Sequence, residues 1–220
     1  MLHSLQNVFQ ALDFSSLADA VLRVAAVFLC LTVHETCHGL AALALGDPTA
    51  KSMHRLSLNP LRHIDWLGLA LMFVAGFGWA KPVPVNPSYF RKPKQGMAIT
   101  ALAGPVSNIL LAVLFLWIGK VIYLYAPYSD GMNTFFDWCL FTVAPMSVGL
   151  GIFNLIPFPP LDGSKVLAVF LPDGAYMKLM HYERYGILIL LALSWLGLGG
   201  NALGDVIYSV YAALFHIFFA

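Results

Sequence analysis

His34-Glu35-Thr36-Cys37-His38 is the stretch of this sequence best equipped for chemistry. Two histidines four residues apart share one face of a helix and can offer two imidazole nitrogens to one divalent metal. The glutamate next to the first histidine lies about 100° round the helix, within reach of a water on that metal. That set suits water activation, with the metal acidifying a water and the carboxylate taking its proton. The sequence holds two glutamates, Glu35 and Glu183, and seven histidines. At that composition His-Glu-x-x-His arises by chance on the order of 0.002 times per chain. Cys37 points about 60–100° away from the histidines and reads as a small packing residue.

The elements that must position these groups are apolar. Leu17 to Leu31 precedes the motif and Gly39 to Leu45 follows it, almost without a polar residue. Two imidazoles and a carboxylate therefore sit inside a stretch that reads as membrane-spanning, where ionisable residues are costly and mark function. The whole chain agrees: 220 residues, 60% hydrophobic and 10% charged, with a mean hydropathy of +0.77. Soluble domains are nearer 25% charged. An all-α polytopic membrane protein is expected, a single domain over 1–220 with its core at about 17–171. A net charge of +1 gives no footing for nucleic acid. Cys30, Cys37 and Cys139 form no CxxC and no framework of bridges. No basic segment with a cleavage site opens the sequence, so the first span is expected to direct insertion itself.

In order, a first span is expected over about 17–45, ended by Gly46-Asp47-Pro48. Arg55 to Asn59 alternates like a short strand before Pro60. The apolar stretch 67–79 is too short to cross a bilayer and suggests a re-entrant hairpin. Lys81-Pro82-Val83-Pro84-Val85-Asn86-Pro87 must be extended. Further spans are expected over about 96–125 and 138–156, with a loop between them at 126–137. A Pro-rich break, a short helix at 164–171 and a polar loop at 172–184 come next. A helical hairpin over about 185–219 completes the chain. The total is about five to six membrane-embedded helices. Seven Lys/Arg fall between 47 and 96, whereas 126–137 carries Asp130 and Asp137 and no Lys or Arg. The positive-inside rule places the basic loops in the cytoplasm.

A catalytic zinc takes three protein ligands and keeps one position open. Position 44 is Ala44, so no third histidine follows six residues after His38. Glu183 lies in Tyr182-Glu183-Arg184, where an ion pair is the plain reading. Asp162 is the better candidate: an acid in an apolar, Pro-rich stretch, followed by Gly163, which lets backbone approach closely. It is also a candidate N-cap for the helix after it, and an aspartate can do both with different oxygens.

His34-Glu35-x-x-His38 in an early span, with Asn154-x-x-Pro157-x-Pro159-x-Leu161-Asp162-Gly163 in a later one, resembles the site-2 protease family of intramembrane zinc metalloproteases. Gly46 to Lys51, Arg55 to Pro60 and Ala103-Gly104-Pro105-Val106-Ser107-Asn108 share the likeness, which spans roughly 30–170. The resemblance implies one Zn²⁺ per chain on His34, His38 and Asp162, with Glu35 as catalytic acid and base. Asn108 and Asn154 match family asparagines that steady the substrate backbone or the oxyanion. The chain looks like compact members, with nothing to house a PDZ or CBS domain. His54 departs from the pattern, since similar sequences carry glycine there. The substrate implied is a transmembrane helix of another membrane protein, within the lipid bilayer of a prokaryotic cell. The alternatives are a membrane metal-ion transporter or proton relay, and a non-catalytic relative that only holds client helices. A strand edge near 55–59 or 82–86 is a candidate place for the substrate backbone to add. Oligomeric state is not legible.

Overall fold

The computed structural model describes residues 17–66, 68, 81–196 and 200–219. Helix α1 (Leu17–Ala44) carries the histidine pair in its second half. Gly46, at φ +100°, ends it by turning the chain into α2 (Thr49–Ser52). Single turns at Pro60–Arg62 and Pro87–Tyr89 punctuate the connection to α3 (Pro93–Tyr125). Pro93 opens α3 at the first helical position, where its missing N–H costs nothing. Ser129 caps α4 (Asp130–Asp137), its side chain accepting from Met132 N–H. The helix then runs on through a π-helical turn at Trp138–Val143 into α5 (Ala144–Leu155). After the prolines come α6 (Asp162–Leu167), a 3₁₀ turn to Phe170, α7 (Asp173–Trp195) and α8 (Gly200–Phe219).

Among the described residues, four helices are long and apolar enough to cross a membrane: Ala18–Ala44, Pro93–Tyr125, Asp130–Asn154 and Ala202–Phe219. Five to six were expected. The difference lies at α7, which has the length but begins with a polar half, and at 67–79, which apart from residue 68 falls outside the described residues, as do 1–16. Over 172–184 the expected polar loop is helix. Pro172 accepts from the backbone N–H groups of Ala175 and Tyr176, and Ala, Met, Lys and Leu that follow are good helix formers. The expected loop at 126–137 is likewise mostly α4, because Ser129 starts the helix early.

No strand forms at 55–59 or 82–86. A strand needs a ladder, and the polar groups of 55–59 are spent elsewhere. Ser57 O accepts from the Thr36 hydroxyl and from His63 Nε2, and Arg55 N–H donates to Ala50 O.

Helix α3 is the centre of the bundle: 56% of its apolar window is buried inside the protein, against none of the window in α8. On one side Ala112 and Leu116 pack with Cys139, Leu140, Ala144 and Val148, and α8 lays Ile207, Tyr211 and Phe215 over that cluster. On another, Leu111 meets Ala26 and Cys30 of α1 and Val143. Alanines at these crossings let the helices approach closely, which drives association where lipid removes the hydrophobic force.

His54 stands at φ +53°, in the left-handed region. Only glycine enters that region without a Cβ penalty, so a glycine would fit this backbone better than histidine. His54→Gly is expected to be neutral or stabilising by up to about 1 kcal/mol. His54→Val should cost about 1–2 kcal/mol, since a β-branched residue tolerates that backbone least. Thermal unfolding of both variants in detergent reads the two signs.

Candidate metal centre

His34 and His38 project from α1 into the protein interior and are 4% and 9% exposed. Their rings stand edge to face, with centroids 4.5 Å apart. Helix α3 holds each from behind. His38 Nδ1 lies 2.7 Å from Thr100 O, and His34 Nδ1 lies 3.1 Å from Asn108 Oδ1. A carbonyl oxygen only accepts, so both Nδ1 atoms carry the proton and donate. Both Nε2 atoms are then left as bare lone pairs. They face each other across 3.0 Å, and each is 3.1 Å from Asp162 Oδ2.

Three electron-pair donors this close, with no proton between them, repel one another unless a cation sits among them. Metal bonds of about 2.0–2.1 Å in a tetrahedral site give ligand–ligand edges of about 3.3 Å. The 3.0–3.1 Å edges seen here match that triangle closely. His34, His38 and Asp162 are thus a buried group that could hold one metal ion, and the outer Nδ1 bonds are the orienting contacts such ligands use.

Asp162 reaches the imidazoles from a distant part of the chain. The break after α5 runs through Pro157, Pro159 and Pro160 and turns the chain back at Leu161. Gly163 makes the return possible: a Cβ there would lie 2.2 Å from Leu155 O and 2.5 Å from Ile156 O. Asp162 is the first residue of α6, with Leu161 rather than Asp162 at the N-cap, and its Oδ2 is turned to the histidines. Its other oxygen lies 3.9 Å from Lys165 Nζ. Glu35 is half-buried and accepts from Val83 N–H at 2.8 Å. Glu35, His34, His38, Asp162 and Asn154 all line one cavity of about 420 Å³, whose remaining wall is mostly apolar.

A relative from Bacillus subtilis named "Putative zinc metalloprotease YwhC" is 36% identical over 204 residues, covering 87% of this chain and 91% of its own. The chain belongs to the site-2 protease family. "Putative zinc metalloprotease Rip2" of Mycolicibacterium smegmatis is 28% identical over 178 residues, 79% of this chain and 66% of that protein. A Mycobacterium tuberculosis protein of the same name is 26% identical over 179 residues. No family model and no solved structure matches the chain.

Within this site-2 protease scaffold the two asparagines stand in different places. Asn154 lines the cavity with its Nδ2 donating to Leu150 O at 2.9 Å. Asn108 is fully buried behind His34, and its Nδ2 has no partner among the described residues. His54 is exposed, and His63 Nε2 donates to Ser57 O. Neither joins the ligand triangle. The backbone of Glu183 lies in α7. The wall of the cavity extends beyond the expected core, to Ile187 and Leu190 of α7.

Three participants had no role assigned from sequence: Thr100, Val83 and Gly104. The first two act through backbone atoms, which no side-chain pattern reveals. Gly104 had a signal, a glycine inside an apolar helix, which implies close approach by a neighbour. A Cβ at Gly104 would lie 2.5 Å from His38 Cε1 and Nε2 and 2.6 Å from His34 Cε1. Gly104→Ala should therefore push both imidazoles out of register. Elemental analysis is expected to find zinc bound in the wild type and zinc affinity at least about tenfold weaker in Gly104→Ala. Gly131→Ala, in open space, should retain the metal.

Proposed function

We propose that this chain is an intramembrane zinc endopeptidase that hydrolyses peptide bonds in or near transmembrane helices of other membrane proteins. The observation that carries the reading is the buried triangle of His34 Nε2, His38 Nε2 and Asp162 Oδ2, with Glu35 on the same cavity. Zinc held by those three residues supplies Lewis acidity and lowers the pKa of water. Glu35, the carboxylate next to the ligands but outside their triangle, takes the proton from the attacking water and returns it to the leaving amine. Asn154 faces the cavity and is placed to steady the substrate carbonyl or its oxyanion once its bond to Leu150 O is exchanged. Asn108 fixes the ring of His34.

The apolar wall suits a substrate made of apolar side chains. A transmembrane helix hides its own peptide groups, so it must unwind locally before its backbone can enter. The seven Lys/Arg of 47–96 support a cytoplasmic position for the end of α1 nearest the histidines. The bacterial relatives agree with a multi-pass protein of a prokaryotic cell membrane.

The test uses purified protein with a model transmembrane substrate in detergent or liposomes. Cleavage should stop with a chelator and return with zinc. Glu35→Gln should lower the rate at least about 100-fold while zinc stays bound. Metal flux through liposomes that survives Glu35→Gln, without cleavage, would establish a transporter instead. Substrate capture without hydrolysis by the wild type would establish a non-catalytic relative.

A further inference from the structure

Residues 81–86 form an extended strap along the cavity, contributing Pro82, Val83 and Val85 to its wall. Two of its six residues are prolines, so only Lys81, Val83, Val85 and Asn86 have a backbone N–H. Three of these four are used. Lys81 N–H donates to His63 O at 2.9 Å, Val83 N–H to Glu35 Oε2 at 2.8 Å, and Asn86 N–H to Asp47 Oδ2 at 2.7 Å. Arg55 Nη2 donates to Lys81 O at 2.9 Å and to Pro82 O at 3.3 Å. The strap is thus fastened at its first end by Arg55 and His63 and at its last end by Asp47. Between the fasteners it makes one hydrogen bond to α1, and that bond goes to Glu35.

We propose that Asp47 and Arg55 are positioning residues for Glu35: they pin the two ends of the strap, and the strap's Val83 N–H holds the Glu35 carboxylate at the cavity. The inference rests on the reading of Glu35 as the proton carrier. Asp47 has no solvent exposure, although it follows directly on the end of a membrane helix. Its Oδ1 serves Thr49, accepting from the backbone N–H at 2.9 Å and from the hydroxyl. That leaves Oδ2 for Asn86, 39 residues away. Fixed proline φ angles on both sides of Val83 keep the strap stiff, so a pinned end is felt at Val83.

Burial pushes the Asp47 carboxyl up, but the Thr49 hydroxyl and the Asn86 and Thr49 N–H groups bind its charged form and hold it below the ordinary carboxylate value. With the folded pKa below the unfolded one, the tether contributes fully above roughly pH 4. Its contribution is lost as pH falls through the folded value.

Asp47→Asn keeps the shape but offers one acceptor oxygen in place of two. Hydrogen exchange on the full-length protein in detergent should show the Val83 amide exchanging about tenfold faster, although Val83 does not touch Asp47. The kcat per zinc-loaded chain should fall about 10- to 100-fold with KM little changed. In a Val83→Pro background, which removes the N–H, Asp47→Asn should cost nothing more, and Val83→Ala separates the side chain's share. Should Asp47→Asn not fold, Arg55→Met loosens the other end, leaving it only the Lys81 N–H bond to His63 O, and carries the same expectation in direction. Unchanged exchange at Val83 in these variants, or an undiminished loss from Asp47→Asn in the Val83→Pro background, overturns the inference. A wild type that cleaves nothing, yet whose Val83 amide still answers to Asp47→Asn, upholds the tether and sinks the protease reading instead.

Discussion

Two imidazoles and a carboxylate, with their lone pairs turned on one another in a buried space, set the terms for everything around them. Helix α3 is shaped to this demand. Thr100, Gly104 and Asn108 recur every four residues and so lie along one face. Thr100 O takes His38 and Asn108 Oδ1 takes His34, so the two helices run antiparallel past each other at the site. Gly104, midway between these anchors, clears the space that both rings occupy. One face of one helix thereby fixes tautomer, ring angle and spacing for both nitrogens, and Asp162 has only to be delivered opposite them.

Delivering it is a backbone problem. A helix continued through 156–161 would carry Asp162 onward along its axis, away from α1. The prolines end α5 while the sequence is still apolar. The turn that follows spends its polar groups locally: Phe158 N–H donates to Ile156 O, Leu161 N–H to Phe158 O and the Ser164 hydroxyl to Leu161 O. Irregular backbone at such a depth is tolerated only where protein covers it and satisfies it. Gly163, pressed against Leu155 O, shows how little room the return leaves.

What could be read from sequence follows the same division. His34, His38 and Glu35 were legible because helical periodicity alone places them. Asp162 was legible because an acid among prolines and apolar residues has few other uses. Thr100 and Val83 were not, because they contribute a carbonyl and an amide that every residue possesses. The strand expected at 55–59 failed because alternation describes side chains and says nothing of a ladder neighbour. Here Ser57 O is taken by Thr36 and His63. The loop expected at 172–184 failed because polarity was read as irregularity, whereas Lys and Met are as content in a helix as Leu.

The distribution of buried polar groups bears on what the site does. On α1 they are Thr32, His34, Thr36 and His38, within two turns; on α3 they are Thr100, Ser107 and Asn108, at its first half; Ser147 of α5 donates to Asn108 O, Asp162 and Ser164 lie on α6, and Asp47 and His63 lie in the connection after α1. Beyond Asn108 the buried face of α3 turns to Leu111, Ala112, Leu116 and Gly119. A path for ions needs polar groups or water through the whole bilayer thickness, since each apolar stretch is a barrier of several kcal/mol to a charge. A hydrolase needs them at one depth, beside a cavity open to water on one side and to an apolar substrate on the other. Among the described residues, the buried polar groups of α3 end at Asn108, where its buried face becomes apolar.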